Sequence, residues 1–350
     1  MIYFYLLSRF PKGKITHTAL SLILLLCAIA AIAPAAYAQQ EDPDDVVRVE
    51  TNLVQLNVGV VDRQGRAVTN LSRNDFVVYE DDVRQPIVNF ESTATPFSLV
   101  LLLDMSGSTL TFRPTLKQAA LRFIDALSPA DRVAVIAFNA KIDTLTKFTS
   151  DRRKIAEGIT YAEGKGETHL YDALRDALEQ LSREGQRRKA IVVLSDGLDT
   201  EMRNMDRTSA GSAKTNEEAI NSIKPEASAS LNAVLNAADR QGVTIYPLAL
   251  PSGDPKRLAF PDPKQIAIYT SARTRMQTLA DRTGGRLNVI RRLEDMGYLY
   301  AEVAADLRTL YSVGYQPPGG RARDGRWRKI RIEVARPELI ARTRPGYYAH

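Results

Sequence analysis

Three polar residues close an apolar run in "LLLDMSGSTL", residues 101–110. Asp104, Ser106 and Ser108 bring a carboxylate and two hydroxyls to the tip of a segment whose preceding positions are all leucine. Two more oxygen-bearing residues stand in matching contexts: Thr168 in "GKGETHLYDAL" directly precedes a helical pattern, and Asp196 in "VVLSDGLD" follows the apolar run "KAIVVL". Oxygen ligands without imidazole or thiolate select a hard cation such as Mg2+, Mn2+ or Ca2+ over zinc or copper. Hydroxyls coordinate a compact ion without adding charge, while two ionised aspartates balance a divalent one. With only neutral hydroxyls otherwise close by, the metal stays electrophilic enough to accept a carboxylate from another molecule, so an open ligand position is expected.

The elements that must position these residues alternate along the chain. From Phe97 onward, "SLVLLLD", "RVAVIAF", "KAIVVLSD" and "VTIYPLAL" are short apolar runs of the kind buried on both faces, with "RLNVI" a weaker example. Between them, Leu116, Ala119, Ala120, Phe123 and Leu127 form one helical stripe, and Leu170, Leu174, Ala177, Leu178 and Leu181 form another. Further helices are expected around "ASLNAVLNAADR" and "RMQTLADRTGG", the latter stopped by Gly284 and Gly285. This alternation predicts an α/β fold, a Rossmann-like, doubly wound and mostly parallel sheet with helices on both faces. Ligands in such sheets bind at the carboxyl ends of strands, and the three polar elements fall there or in neighbouring loops.

"DMSGS" resembles the D-x-S-x-S element of von Willebrand factor type A (VWA) domains, and all three elements occur in the family's order. The resemblance covers roughly residues 97–300 and implies a metal-ion-dependent adhesion site (MIDAS), usually loaded with magnesium. Its ligand positions fall on Asp104, Ser106, Ser108, Thr168 and Asp196. The family's pattern is interrupted by the polar stretch at about 200–226, "TEMRNMDRTSAGSAKTNEEAINSIKP", which is expected to be a mobile insertion within a VWA domain spanning 96–308 and to bear on ligand access.

The flanks are of a different kind. Arg9, Lys12 and Lys14 precede the acid-free apolar run "LSLILLLCAIAAIA", followed by Pro34 and Ala36-Tyr37-Ala38. This is the layout of a secretory signal peptide over 1–38 with cleavage after Ala38, the alternative being an uncleaved membrane anchor. Its removal takes away the only cysteine and lowers the formal charge from +6 to +3, which excludes disulfides and weakens any electrostatic case for nucleic acid. Residues 39–45 are a polar linker, and 46–95 alternate as a small β module. Residues 309–350 return to β text as a C-terminal hairpin, "LYSVGYQPP" then "WRKIRIEV", for which packing on the N-terminal module is one arrangement. The basic run around Trp327 is expected to be an exposed strand face rather than a nucleic-acid surface.

His169 is the one histidine near the candidate ligands, but G-x-S-x-G is absent and the serines are better placed as ligands than as nucleophiles, so a solvent-facing or packing histidine is expected. Asp172 suits the dipole of the helix after Thr168, and Asp199 is either a turn residue or a support for the ligands. The expected function is that of an exported protein, in the periplasm, cell envelope or medium. It would bind another protein through a divalent cation that the partner's acidic side chain completes, with no catalytic residues. A metal-dependent hydrolase and a structural envelope protein with a vestigial site are the competing classes.

Overall fold

The computed structural model describes residues 53–185, 187–317 and 324–349, all within the unit Thr51–His350. The predicted signal segment 1–38, the linker 39–45 and the first residues of the 46–95 module lie outside the described residues. Among those described, no helix is long and apolar enough to cross a membrane.

Four strands open the described chain: β1 (Val54–Val61), β2 (Phe76–Glu80), β3 (Val83–Gln85) and β4 (Ile87–Glu91). The alternating region follows with β5 (Phe97–Asp104), α1 (Arg113–Ala126), β6 (Arg132–Phe138), β7 (Ile142–Thr149), α2 (Arg152–Tyr161), α3 (Leu170–Ser182) and β8 (Arg188–Ser195). It continues through α4 (Thr200–Ser209), α5 (Asn216–Ser222), α6 (Ala229–Gln241), β9 (Thr244–Ala249), α7 (Pro263–Thr283), β10 (Asn288–Val289) and α8 (Met296–Thr309). The chain ends in β11 (Leu310–Tyr315), β12 (Trp327–Val334), β13 (Ile340–Arg342) and β14 (Gly346–Tyr348).

The central sheet has six strands in the order β10-β9-β8-β5-β6-β7, parallel except for the edge strand β7. Every residue of β5 is buried, and alternate side chains serve opposite layers. Leu99, Leu101 and Leu103 pack in a core with Leu116, Phe123 and Leu307 of α1 and α8. Val100 and Leu102 pack in a second core with Leu174, Leu178 and Val234 of α3 and α6. Each buried leucine contributes on the order of 2 kcal/mol by leaving water, and a strand flanked by two such cores has no freedom to slip register. The register sets Leu103 beside Leu194 and Asp104 beside Phe138. Asp104 and Ser195 therefore end adjacent strands on one edge.

The remaining strands form two four-stranded sheets, β13-β1-β11-β4 and β14-β12-β2-β3. They share one core, in which Leu56, Val58 and Val313 of the first sheet meet Phe76, Val78 and Ile330 of the second. Residues 309–350 do not form the expected hairpin. β11 pairs with β1 and β4, whereas β12 pairs with β2 and β14 in the opposite sheet. All six residues of β11 are buried, so it needs neighbours on both edges, and β12 supplies an inward Ile330 to the facing sheet.

The stretch 200–226 also departs from expectation, because it folds into α4 and α5 instead of an irregular connection. Asp199 caps α4 by accepting from Met202 N, and Thr215 caps α5 by accepting from Glu218 N. Asp206 of α4 receives a two-pronged bond from Arg275 of α7, at 2.6 and 2.7 Å. The polar composition that suggested a loop is that of two short capped helices, one of which is tied down by a buried ion pair.

Candidate metal centre

At the carboxyl edge of the central sheet two connections bring Asp104, Ser106, Ser108 and Asp196 near one another, and a third, carrying Thr168, is joined to the serine loop through its backbone. Asp104 is the last residue of β5 and wholly buried. Its Oδ1 accepts from Ser106 N at 2.9 Å, which bends the chain back at the strand's end. Its Oδ2 accepts from Ser195 Oγ at 2.6 Å across the strand pair. Beyond the bend, Ser106 and Ser108 stand with their hydroxyl oxygens 3.1 Å apart. Arg113 Nη2 donates to the carbonyls of Met105 and Ser106 at 2.5 and 2.9 Å, locking the turn from outside.

Asp196, one residue past β8, is also buried. Its Oδ1 accepts from Leu198 N at 3.0 Å, the Ser252 hydroxyl stands 3.5 Å from its Oδ2, and the nearby Ser108 hydroxyl favours its charged form. Asp104, Ser106, Ser108 and Asp196 thus form one connected cluster. Behind Asp196 the connection after β9 approaches closely: a Cβ on Gly253 would lie 2.2 Å from the Asp196 carbonyl oxygen, so only glycine fits.

Thr168 is carried in by backbone bonds. Gly107 N donates to Gly166 O at 3.2 Å, joining its loop to the serine loop. Thr168 N donates to Thr200 Oγ1 at 3.0 Å, and Thr200 N donates to Thr168 O at 2.9 Å. Asp199 completes this junction, taking Leu170 N on one oxygen at 2.9 Å and Met202 N on the other at 3.1 Å. It therefore fastens the starts of α3 and α4 together and fixes where the Thr168 loop sits. The His169 ring nitrogens stand 3.5 Å from Glu167 and from Asp172.

Two buried carboxylates side by side carry an electrostatic demand. Burial, reinforced by the charge of Asp196, pushes the Asp104 carboxyl up to about 7 despite the bonds from Ser106 and Ser195. Burial also raises Asp196. Like charges in a shared low-dielectric site cannot both ionise without a compensating positive charge, supplied by a proton or a cation. The donor set has two carboxylates with hydroxyls from Ser106 and Ser108, all hard oxygens, which fits Mg2+, Mn2+ or Ca2+. Among the described residues no three His, Cys, Asp or Glu side chains are grouped to hold an ion, so a cation at this edge would depend on the hydroxyls for its remaining protein ligands.

Sequence reasoning missed Ser195, Ser252 and Arg113. Ser195 immediately precedes a chosen ligand at the end of an apolar run, and its type and place were the available signal. Ser252 and Arg113 reach the site only through the fold.

Residues 99–198 match the von Willebrand factor type A domain family. The chain contains a VWA domain. A protein of Synechocystis sp. described as uncharacterized is 35% identical over 107 residues, which cover 29% of this chain and 25% of that protein. The chain thus spans about a quarter of that relative's length. Among solved structures, a von Willebrand factor type A protein from Catenulispora acidiphila is 14% identical, with a TM-score of 0.45, covering 87% of this chain and 64% of that one. The vWF domain of the type V pili tip protein Mfa5 from Porphyromonas gingivalis is likewise 14% identical with a TM-score of 0.45, over 60% of this chain and 94% of its own.

Proposed function

We propose that this is an exported binding protein whose VWA domain takes up a divalent cation, magnesium in first place, and uses it to grip a carboxylate on a protein partner. The observation that carries the reading is the pair of buried aspartates, Asp104 and Asp196, near enough for one charge to raise the other, with the paired hydroxyls of Ser106 and Ser108 beside them at the carboxyl edge of the sheet. In this reading Ser106 and Ser108 bind the ion directly, Asp104 and Asp196 balance its charge, and Thr168 closes the ring from the neighbouring loop. The bound ion supplies Lewis acidity toward one further oxygen ligand. Ser195, Arg113 and Asp199 hold the loops in place, so the site is preorganised by the fold. The arrangement of Arg9, Lys12, Lys14 and the apolar run ending at Ala38 supports export.

The test is calorimetric titration of Mg2+ into the purified protein and into an Asp104→Ala, Ser106→Ala double variant. The wild type gives a saturable, chelator-reversible isotherm and the variant gives none while keeping its far-UV circular dichroism. An unchanged isotherm in the variant overturns the assignment.

A further inference from the structure

A cavity of about 630 Å3 opens where the two outer sheets meet the ends of α7 and α8. None of the candidate metal ligands lines it. Strands β1, β12 and β13 form one wall, and Tyr246 of β9, the C-terminal turns of α7 and the end of α8 form the other. Its volume lies in the range of about 300–1,000 Å3 that small-molecule sites occupy. Close backbone contacts fix both walls. A Cβ on Gly285 would lie 2.1 Å from the Ile245 carbonyl oxygen, so the loop after α7 lies directly on β9 and only glycine fits. One on Gly284 would lie 3.0 Å from Arg344 N, which seats the same loop against the chain after β13. That chain is held in turn. Arg344 Nη1 donates to the carbonyl and the carboxylate of Asp239 at 2.9 and 3.0 Å, and Thr343 Oγ1 donates to Asn57 O at 2.9 Å.

The lining leaves donors unmatched. Tyr246 is only 2% exposed, and its hydroxyl has no hydrogen-bond partner among the described residues. The Tyr300 hydroxyl is sealed in the core, but that of Tyr246 is not, so its free O–H faces the cavity it lines. Burial, ahead of the charge of Asp306, pushes this phenol up, so it keeps a proton to donate. A buried donor calls for an acceptor. Four arginines and two aspartates also line the cavity. Arg344 is tied to Asp239, Arg331 lies 3.7 Å from Asp82 and also pairs with Glu333, and Asp281 accepts from Gln277 at 2.7 Å. Arg286 and Arg342 remain, with one further carboxylate, Asp306, 3.9 Å from Arg286. Arg342 ends the edge strand β13, is exposed, and has no ion pair or side-chain hydrogen bond among the described residues. One guanidinium and one phenol are therefore left over as donors, in a cavity that Leu287, Leu310 and Ile332 also line. Such a lining suits an anionic oxygen group carried on an apolar body.

We propose that this cavity binds a small organic anion, its oxyanion head held by Tyr246, Arg342 and Arg286 and its apolar body set against Leu287, Leu310 and Ile332. The site is separate from the candidate metal centre and does not depend on a cation.

Two dyes that fluoresce on leaving water test it. 8-Anilinonaphthalene-1-sulfonate joins an anionic head to an apolar body, and N-phenyl-1-naphthylamine is the same body without the sulfonate. Each is titrated into the full chain in EDTA, so that no divalent ion takes part. The wild type binds the sulfonate in a saturable isotherm, about tenfold tighter than the neutral dye, as one charge-assisted hydrogen bond would give. Arg342→Gln removes that preference and leaves the neutral dye's affinity unchanged. Tyr246→Phe weakens the sulfonate about threefold, again without moving the neutral dye. Far-UV circular dichroism checks that each variant keeps its fold, and Arg342 is exposed enough for its substitution to be tolerated. Equal affinity of the wild type for the two dyes, or a sulfonate isotherm that neither substitution moves, overturns the proposal. So does a variant that weakens both dyes equally, since the loss is then one of shape and not of the anionic head. Absence of saturable sulfonate binding overturns it as well.

Discussion

Replacing Asp206 by Ala tests whether the 200–226 stretch is a structural part of the VWA domain. Asp206 and Arg275 meet through two charge-assisted bonds of 2.7 and 2.6 Å, and each side chain is only 5% exposed. Truncating the carboxylate strands a guanidinium whose Nε already lacks a partner, in the neighbourhood of the buried Tyr171 phenol. Breaking one side of such a buried pair costs about 3–5 kcal/mol, because the surviving charge keeps its desolvation penalty and loses its compensation. At an unfolding entropy of about 2.1 cal/mol/K per residue, the 350-residue chain loses about 1.4 °C per kcal/mol, and the melting temperature falls by about 4–7 °C in a thermal unfolding scan. An Asp206→Leu, Arg275→Met double variant removes both charges and recovers most of that loss. A single-variant loss under about 1 kcal/mol, the worth of an exposed pair, would refute the claim that α4 is locked to α7.

Two further outcomes concern the centre itself. Because the Asp104 carboxyl is raised, first by burial and then by Asp196, its ionisation destabilises the cation-free fold: relative to Asp104→Asn, wild-type stability falls as pH rises from about 4 through about 7. The loss is at most about 4 kcal/mol, and saturating Mg2+ cancels it at pH 8; a difference curve that is flat or rises with pH would contradict the assignment. Ser195→Ala removes the 2.6 Å donor to Asp104, moving the same transition to higher pH and lowering stability at pH 8 by about 1.5–3 kcal/mol, as denaturant titration reads.

The central sheet was legible because its parallel strands are buried on both faces and read as unbroken apolar runs. β7 was not, because an edge strand facing solvent alternates polar residues, as in "IDTLTKFT". The first three turns of α7 were missed for a related reason: "PKQIAIYTSART" mixes polar and apolar positions, and what starts this helix is the Asp262 capping box and Pro263. The strands β11 and β12 were visible as strands, but their partners lie more than two hundred residues away in β1 and β2, and no local pattern encodes that separation. At the candidate centre, Asp104, Ser106 and Ser108 sit on one turn and announce themselves by spacing. The junction that brings Thr168 in depends on Asp199 bonding both Leu170 N and Met202 N. Sequence could place Asp199 only as a turn residue or a support, since its partners are defined by where two helices start.

The proposed binding function requires a cation between the serine turn and the two aspartates, and anomalous scattering from crystals soaked in Mn2+ locates it directly. A peak is expected at about 2.1 Å from the hydroxyl oxygens of Ser106 and Ser108, flanked by Asp104, Asp196 and Thr168, and absent after soaking in chelator. Soaked crystals with no peak at the carboxyl edge of β5 and β8, or with manganese bound at some other carboxylate, would contradict it.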